Sequence, residues 1–226
     1  LAPFDRRMMT MPWEDFLTLL EQEFRAGWLV AGHDFRFGHK NQGTASLLEQ
    51  TAAARGLGCD VIPAVQLDGV TVSSTHIRAL LERGDAEAAA RFLGRPFAIS
   101  GPVRHGKRLG SSRLGAPTVN LIPDSHQLIP AFGVYAALAS VDGRSYPAVT
   151  NVGVRPTVDT DGGVTVESHL LVEAGELYGA DCRVEFLKML RPERRFDNLE
   201  ALREQIARDA AAARDFFGLV RAAEAP

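Results

Sequence analysis

The hydrophobic period of the chain changes near Arg95-Pro96, and one layer of secondary structure cannot accommodate both halves. Upstream, Thr10, Pro12, Glu14 and Asp15 form a helix opening: a capping hydroxyl, a proline in the first turn and acids at the positive end of the dipole. Phe16, Leu19, Leu20 and Phe24 then recur at helical spacing until Gly27, and Trp28-Leu29-Val30-Ala31 reads as a buried strand. A second helix runs from Ala45 to Arg55, capped by Thr44 and closed by Gly56, ahead of another apolar run at Val61–Val65. This alternation describes a piece of an α/β parallel sheet. Ser73-Ser74-Thr75 offers an N-cap for a helix through His76–Leu81 that Gly84 ends, and Asp85 caps a further helix that Gly94 ends.

From Phe97 onward the segments become short and strand-like: Thr118–Leu121, Gly133–Val141, Tyr146–Val152, Thr165–Leu171 and Arg183–Leu190, separated by Gly, Pro, Asp and Ser clusters. That spacing predicts a small antiparallel barrel or sandwich. One long helix closes the chain on a stripe of Leu199, Leu202, Ile206, Ala210, Ala213, Phe216 and Phe217. With 226 residues and 46% hydrophobic side chains, the chain can bury two modest cores, giving expected domains of 1–95 and 96–226.

A net charge of −3 supplies no general field for nucleic acid or acidic membranes, and no run reaches the roughly 18 apolar residues that span a bilayer. Cys59 and Cys182 stand far apart and outside any C-x-x-C spacing, which disfavours a disulfide framework or a zinc site. Small-molecule chemistry in a reducing cytoplasm is the expectation.

Gly101-Pro102-Val103-Arg104-His105-Gly106-Lys107 fits the first seven positions of a P-loop. The fit fails at Arg108, where a metal-binding hydroxyl belongs, and Gly110, Gly115 and Pro117 leave no room for the required helix. What remains is a glycine-punctuated loop with basic side chains at Arg104, Lys107, Arg108 and Arg113, open to two readings: a backbone phosphate cradle or a plain turn. Thr118 and Asn120, two apart on a strand, share a face and offer two neutral hard oxygens, though the same residues also suit a strand end with a turn.

Gly106-x-x-x-Gly110 leading into Leu114-Gly115-Ala116-Pro117-Thr118-Val119-Asn120-Leu121 resembles the flavokinase signature. Further blocks follow in family order: Gly133-Val134-Tyr135, Val149–Thr157, Val166-Glu167-Ser168-His169, Leu177-Tyr178-Gly179 and Leu190-Arg191-Pro192-Glu193. Together they make the chain similar to the bacterial bifunctional riboflavin kinase/FAD synthetase (FMN adenylyltransferase). The resemblance implies a Rossmann-like α/β nucleotidylyltransferase portion followed by an all-β riboflavin kinase barrel with a C-terminal helix. It further implies that Thr118 and Asn120 bind the Mg²⁺ accompanying ATP and that Gly106, Lys107, Gly110 and Gly115 hold phosphates. Glu167 would be the base that takes the riboflavin 5′-hydroxyl proton. His169 shares the face of Glu167 and is given a structural role, while Asn151, Arg155 and Arg191 are expected to shape the ligand loops.

The first part resembles the FAD synthetase half at Gly32–Gly38 and at Ser73-Ser74-Thr75-His76-Ile77-Arg78. There the resemblance implies a flavin contact at Asp34 and Phe35 and a nucleotide phosphate site at Ser73, Ser74, Thr75 and Arg78; physically, free N–H groups at a helix start favour such an anion. The family's H-x-G-H element is missing, and Leu1–Asp5 aligns with a mid-domain segment, so the chain is expected to be N-terminally incomplete and a poor FMN adenylyltransferase as given. Ala116 replaces a common Phe and is expected to affect affinity. The implied ligands are riboflavin/FMN and ATP/ADP, with neither nucleic acid nor membrane as partner and the oligomeric state left open. The rival readings are a non-catalytic flavin- or nucleotide-binding module and a monofunctional kinase with a vestigial first domain.

Overall fold

A computed structural model describes residues 3–104, 118–154, 163–175 and 177–219. The chain divides into two compact units, Leu1–Val72 and Ser73–Pro226.

The first unit begins with α1 (Arg6–Met9) and α2 (Trp13–Gln22). Thr10 does not open α2. It follows α1, and its hydroxyl donates back to the Arg6 carbonyl at 2.9 Å, so α2 starts after Pro12 without a side-chain cap. The helix stops at Gln22, ahead of Gly27. Strand β1 (Trp28–Gly32) follows, then the short β2 (Arg36–Phe37) and β3 (Gly43–Thr44), α3 (Ala45–Ala54), β4 (Gly58–Ile62), and the short β5 (Gln66–Leu67) and β6 (Val70–Thr71). Thr44 caps α3 by accepting the Leu47 N–H, as the sequence predicts.

Strands β1 and β4 run parallel with α3 between them in sequence, a single β-α-β element. Their apolar core collects Leu17, Leu29, Ala31, Phe37, Leu48 and Ala52. β1 is not buried on both faces as its apolar run suggests: Leu29 and Ala31 point into the core, while Trp28 and Val30 are 63% and 66% exposed. The second strand also lies earlier than its apolar run, ending at Ile62.

The second unit opens with α4 (Ser74–Glu82) and α5 (Ala86–Leu93). Gly84 turns the chain between them at φ +81°, and a Cβ there would lie 2.1 Å from the Met189 sulfur, so only glycine meets both demands. Leu80, Leu81 and Ala89 form a small core with Phe92, Phe97 and Leu128. These helices therefore pack within the same compact unit as the strands that follow.

Those strands are β7 (Phe97–Pro102), β8 (Thr118–Leu121), β9 (Gly133–Val141), β10 (Arg144–Val154), β11 (Val164–Leu170) and β12 (Asp181–Pro192). All pairings are antiparallel, in the order β7-β12-β9-β10-β11-β8. Arg104, just past β7, pairs with Asn120 of β8 and brings the two ends of the sheet together. Alternate residues fill the interior: Ile99, Val119, Leu121, Tyr135, Val152, Val166, Leu170, Val184 and Phe186. Thr150 and Ser168 are fully buried among them, and their hydroxyls bond at 2.8 Å across β10 and β11, which satisfies two polar groups inside an apolar core.

The chain closes with α6 (Leu199–Phe216), capped by Asn198, whose side chain accepts the Ala201 N–H. Its buried face keeps Ala210, Ala213 and Phe217 of the apolar stripe and adds two polar residues. Leu199 is 60% exposed, and the deepest positions are Gln205, Asp209 and Ala213. The reason lies in a polar clamp. Arg191 of β12 donates to both Asp209 oxygens at 2.8–3.0 Å, Gln205 donates to Asp209 at 2.7 Å, and Arg194 donates to Gln205. Removing one partner from a buried ion pair strands the other charge, at a cost of about 3 kcal/mol or more. Asp209→Ala should therefore lower the unfolding free energy by about 3 kcal/mol in urea titrations followed by far-ultraviolet circular dichroism.

Candidate active site

The register of the barrel strands decides which side chains leave the core together. β11 pairs with β8 so that Glu167 faces Asn120 and His169 faces Thr118, and it pairs with β10 so that Glu167 also faces Asn151 and His169 faces Val149. Paired residues in a sheet point to one side. With Val119, Leu121, Val166, Ser168 and Leu170 turned inward, Thr118, Asn120, Glu167, His169 and Asn151 form two adjacent rows on the outer face. Further along that face, Val134, Ala136 and Val149 pack against Ala213 of α6. The helix covers the apolar part of the outer face.

Within the polar part, Thr118 Oγ1 lies 2.8 Å from His169 Nδ1. Burial pushes the His169 pKa below its ordinary value, so the ring is neutral at pH 7. Asn120 is 7% exposed, and its side-chain amide makes no hydrogen bond among the described residues. Glu167 is half-buried with no hydrogen bond or ion pair among the described residues. The arrangement offers two hard neutral oxygens beside one uncommitted carboxylate, a donor set that suits Mg²⁺ when phosphates supply the balancing charge. The residues present fit that ion.

Other expected positions divide. The backbone N–H of Arg104 donates to the Asn120 carbonyl at 2.8 Å, and Gly101-Pro102 lie in β7, so the start of the glycine-rich segment is strand and not a P-loop. Gly106, Lys107, Gly110, Gly115 and Arg155 lie outside the described residues. Arg191, expected to shape the ligand loops, pairs with Asp209 and donates to the Pro192 carbonyl. Glu193, which the sequence did not single out, carries its carboxylate over Gly153: a Cβ there would sit 2.6 Å from Glu193 Oε1 and 3.5 Å from Asn151 Nδ2. Gly153 thereby leaves room for Glu193 beside the Asn151 row.

The positions expected to serve the adenylyl chemistry lie in both units. In the first, Asp34 is exposed after β1, and Phe35 is half-buried and stacked on core residue Phe37 at 5.5 Å. In the second, Ser73 is the N-cap of α4, its hydroxyl accepting the His76 N–H at 3.2 Å. Ser74 and Thr75 are exposed in the first turn, and Arg78 is exposed one turn in without a hydrogen bond or ion pair among the described residues. The Ser73 hydroxyl thus has a helix-capping role whatever else it does.

The family model described as riboflavin kinase matches residues 93–217, and that described as FAD synthetase matches residues 1–76. A bifunctional riboflavin kinase/FMN adenylyltransferase of Pseudomonas fluorescens is 40% identical over 212 residues, covering 93% of this chain and 68% of the relative. The enzyme of the same description from Escherichia coli strain K12 is 39% identical over 224 residues, covering 97% and 70%. Among solved structures, one from Streptococcus pneumoniae described as a macrolide-efflux protein has a TM-score of 0.78 at 26% identity, covering 94% of this chain and 68% of that one. No helix among the described residues here is long and apolar enough to cross a membrane. The chain belongs to the bifunctional riboflavin kinase/FMN adenylyltransferase family.

Replacing an N-cap hydroxyl by Ala typically costs about 1 kcal/mol. Ser73→Ala should lower stability by about that amount in urea titration, and an unchanged midpoint would remove the capping role.

Proposed function

We propose that the second unit transfers the γ-phosphoryl group of ATP to the 5′-hydroxyl of riboflavin, giving FMN and ADP. The observation that carries this reading is the outward row in which Glu167 faces Asn120 across β8 and β11, with Thr118 one row away. Glu167 would accept the proton of the 5′-hydroxyl as that oxygen attacks the γ-phosphorus and the bond to the ADP oxygen breaks. Thr118 Oγ1 and Asn120 Oδ1 would hold Mg²⁺, which when bound neutralises charge on the phosphates. Phosphoryl transfer needs little covalent help, so aligning the hydroxyl and holding the phosphates would supply most of the rate. Gly106, Lys107, Gly110 and Gly115 complete this reading as the phosphate loop, on the strength of the family signature.

A second activity, FMN + ATP giving FAD and pyrophosphate, is supported by the FAD synthetase match over residues 1–76. In that reading the β1-α3-β4 element belongs to a Rossmann-like nucleotidylyltransferase domain. Asp34 and Phe35 would contact flavin, while Ser74, Thr75 and Arg78 would meet phosphates at the start of α4. The functional boundary would fall at 95/96, since the riboflavin kinase match begins at residue 93 and β7 at Phe97. A cytoplasmic location, where ATP and riboflavin are both present, belongs to the same reading.

Glu167→Gln keeps the shape of the side chain and removes its basicity. Turnover should fall by about a hundredfold or more while ATP binding by calorimetry persists, and near-normal turnover would remove Glu167 from its role. Asn120→Ala should raise the Mg²⁺ concentration needed for half-maximal rate; an unchanged metal titration would count against Asn120 as a ligand.

A further inference from the structure

A hydroxyl that binds a cation has to present a lone pair and aim its single hydrogen elsewhere. Among the described residues the Thr118 hydroxyl has one hydrogen-bond partner, His169 Nδ1 at 2.8 Å, and the ring has no other. The pair is fixed by the sheet, since Thr118 and His169 are directly opposed across β8 and β11 and Val149 of β10 flanks the ring on the other side. Glu167, on the same strand, makes no hydrogen bond with either. Among the described residues, Glu167 thus has no hydrogen bond or ion pair, and the His169 imidazole is already committed to Thr118.

Resting on the assignment of Thr118 as a metal ligand, we propose that His169 is a positioning residue. Its Nδ1 accepts the Thr118 hydroxyl hydrogen, the ring proton sits on Nε2, and both Oγ1 lone pairs turn outward to the cation. In the opposite tautomer Nδ1–H donates to Thr118. One lone pair is then spent and the hydroxyl hydrogen is left pointing out where the metal would bind. Groups that orient metal ligands typically change metal affinity by about 10- to 100-fold when removed. His169 therefore bears on the metal requirement and the reactive base remains Glu167.

Two measurements on the full chain test this. Long-range ¹H–¹⁵N spectra of the wild-type protein, with the His169 signals assigned by their loss in His169→Asn, should show the neutral Nε2–H tautomer. An Nδ1–H tautomer would overturn the proposal without any variant having to fold for activity. Mn²⁺ binding followed by electron paramagnetic resonance with ADP and FMN should weaken by about 10- to 100-fold in His169→Leu. His169→Asn, whose side-chain oxygen falls near the Nδ1 position, should recover most of that loss. Thr118→Val separates the two layers. If it weakens Mn²⁺ binding while His169→Leu does not, the positioning role fails and the ligand stands. If Thr118→Val leaves binding unchanged, the ligand assignment fails and the positioning role falls with it.

Discussion

The antiparallel register of β11 between β8 and β10 fixes the described polar groups of the candidate kinase site. Because side chains alternate, a slip of one residue would turn Glu167 and His169 into the barrel and push Val166, Ser168 and Leu170 out. Such a slip would bury an unpaired carboxylate beside Tyr135 and Phe186 and expose three residues that are now buried. Packing inside the barrel therefore enforces the order outside it. The buried Thr150–Ser168 hydrogen bond adds a polar match that only this register allows.

The outer face is shared between a helix and a site. Val134, Ala136 and Val149 need cover, and α6 supplies it with Ala210, Ala213 and Phe217. What stops that helix from sliding is the clamp of Arg191 on Asp209, extended through Gln205 and Arg194, with both arginines near the Phe196 ring. A mostly apolar interface of small residues specifies position weakly, whereas a bidentate guanidinium–carboxylate pair specifies it closely. The clamp leaves the Thr118, Asn120, Glu167 and Asn151 rows outside the apolar contact of α6.

Much of this was legible in the sequence, and the reasons are physical. β8 and β9 begin and end at the expected residues because short strand-forming runs are bounded by turn residues. Gly84, Asp85 and Gly94 punctuate α4 and α5 as read, since left-handed turns and side-chain caps are local. Non-local features were hidden. The stripe of α6 holds at Ala210, Ala213 and Phe217 but misses Gln205 and Asp209, which an arginine on another strand buries, and β1 was judged buried because its apolar run does not reveal which face has neighbours. Thr118, Asn120 and Glu167 could be singled out by motif and period, but the His169–Thr118 contact needs the register between two strands 51 residues apart in sequence. Its one signal was that His169 lies two residues from Glu167. Arg191 shows the reverse: a family block drew attention to it, and its partner Asp209 lies on the far helix.

The central claim is that the outward rows on β8 and β11 perform phosphoryl transfer and do not merely bind flavin. Incubating the protein with riboflavin, ATP and Mg²⁺ and separating the flavins by chromatography tests it most directly. The account predicts FMN and ADP formed in equal amounts, with none when Mg²⁺ is chelated. Bound riboflavin with no FMN and no ADP would contradict it.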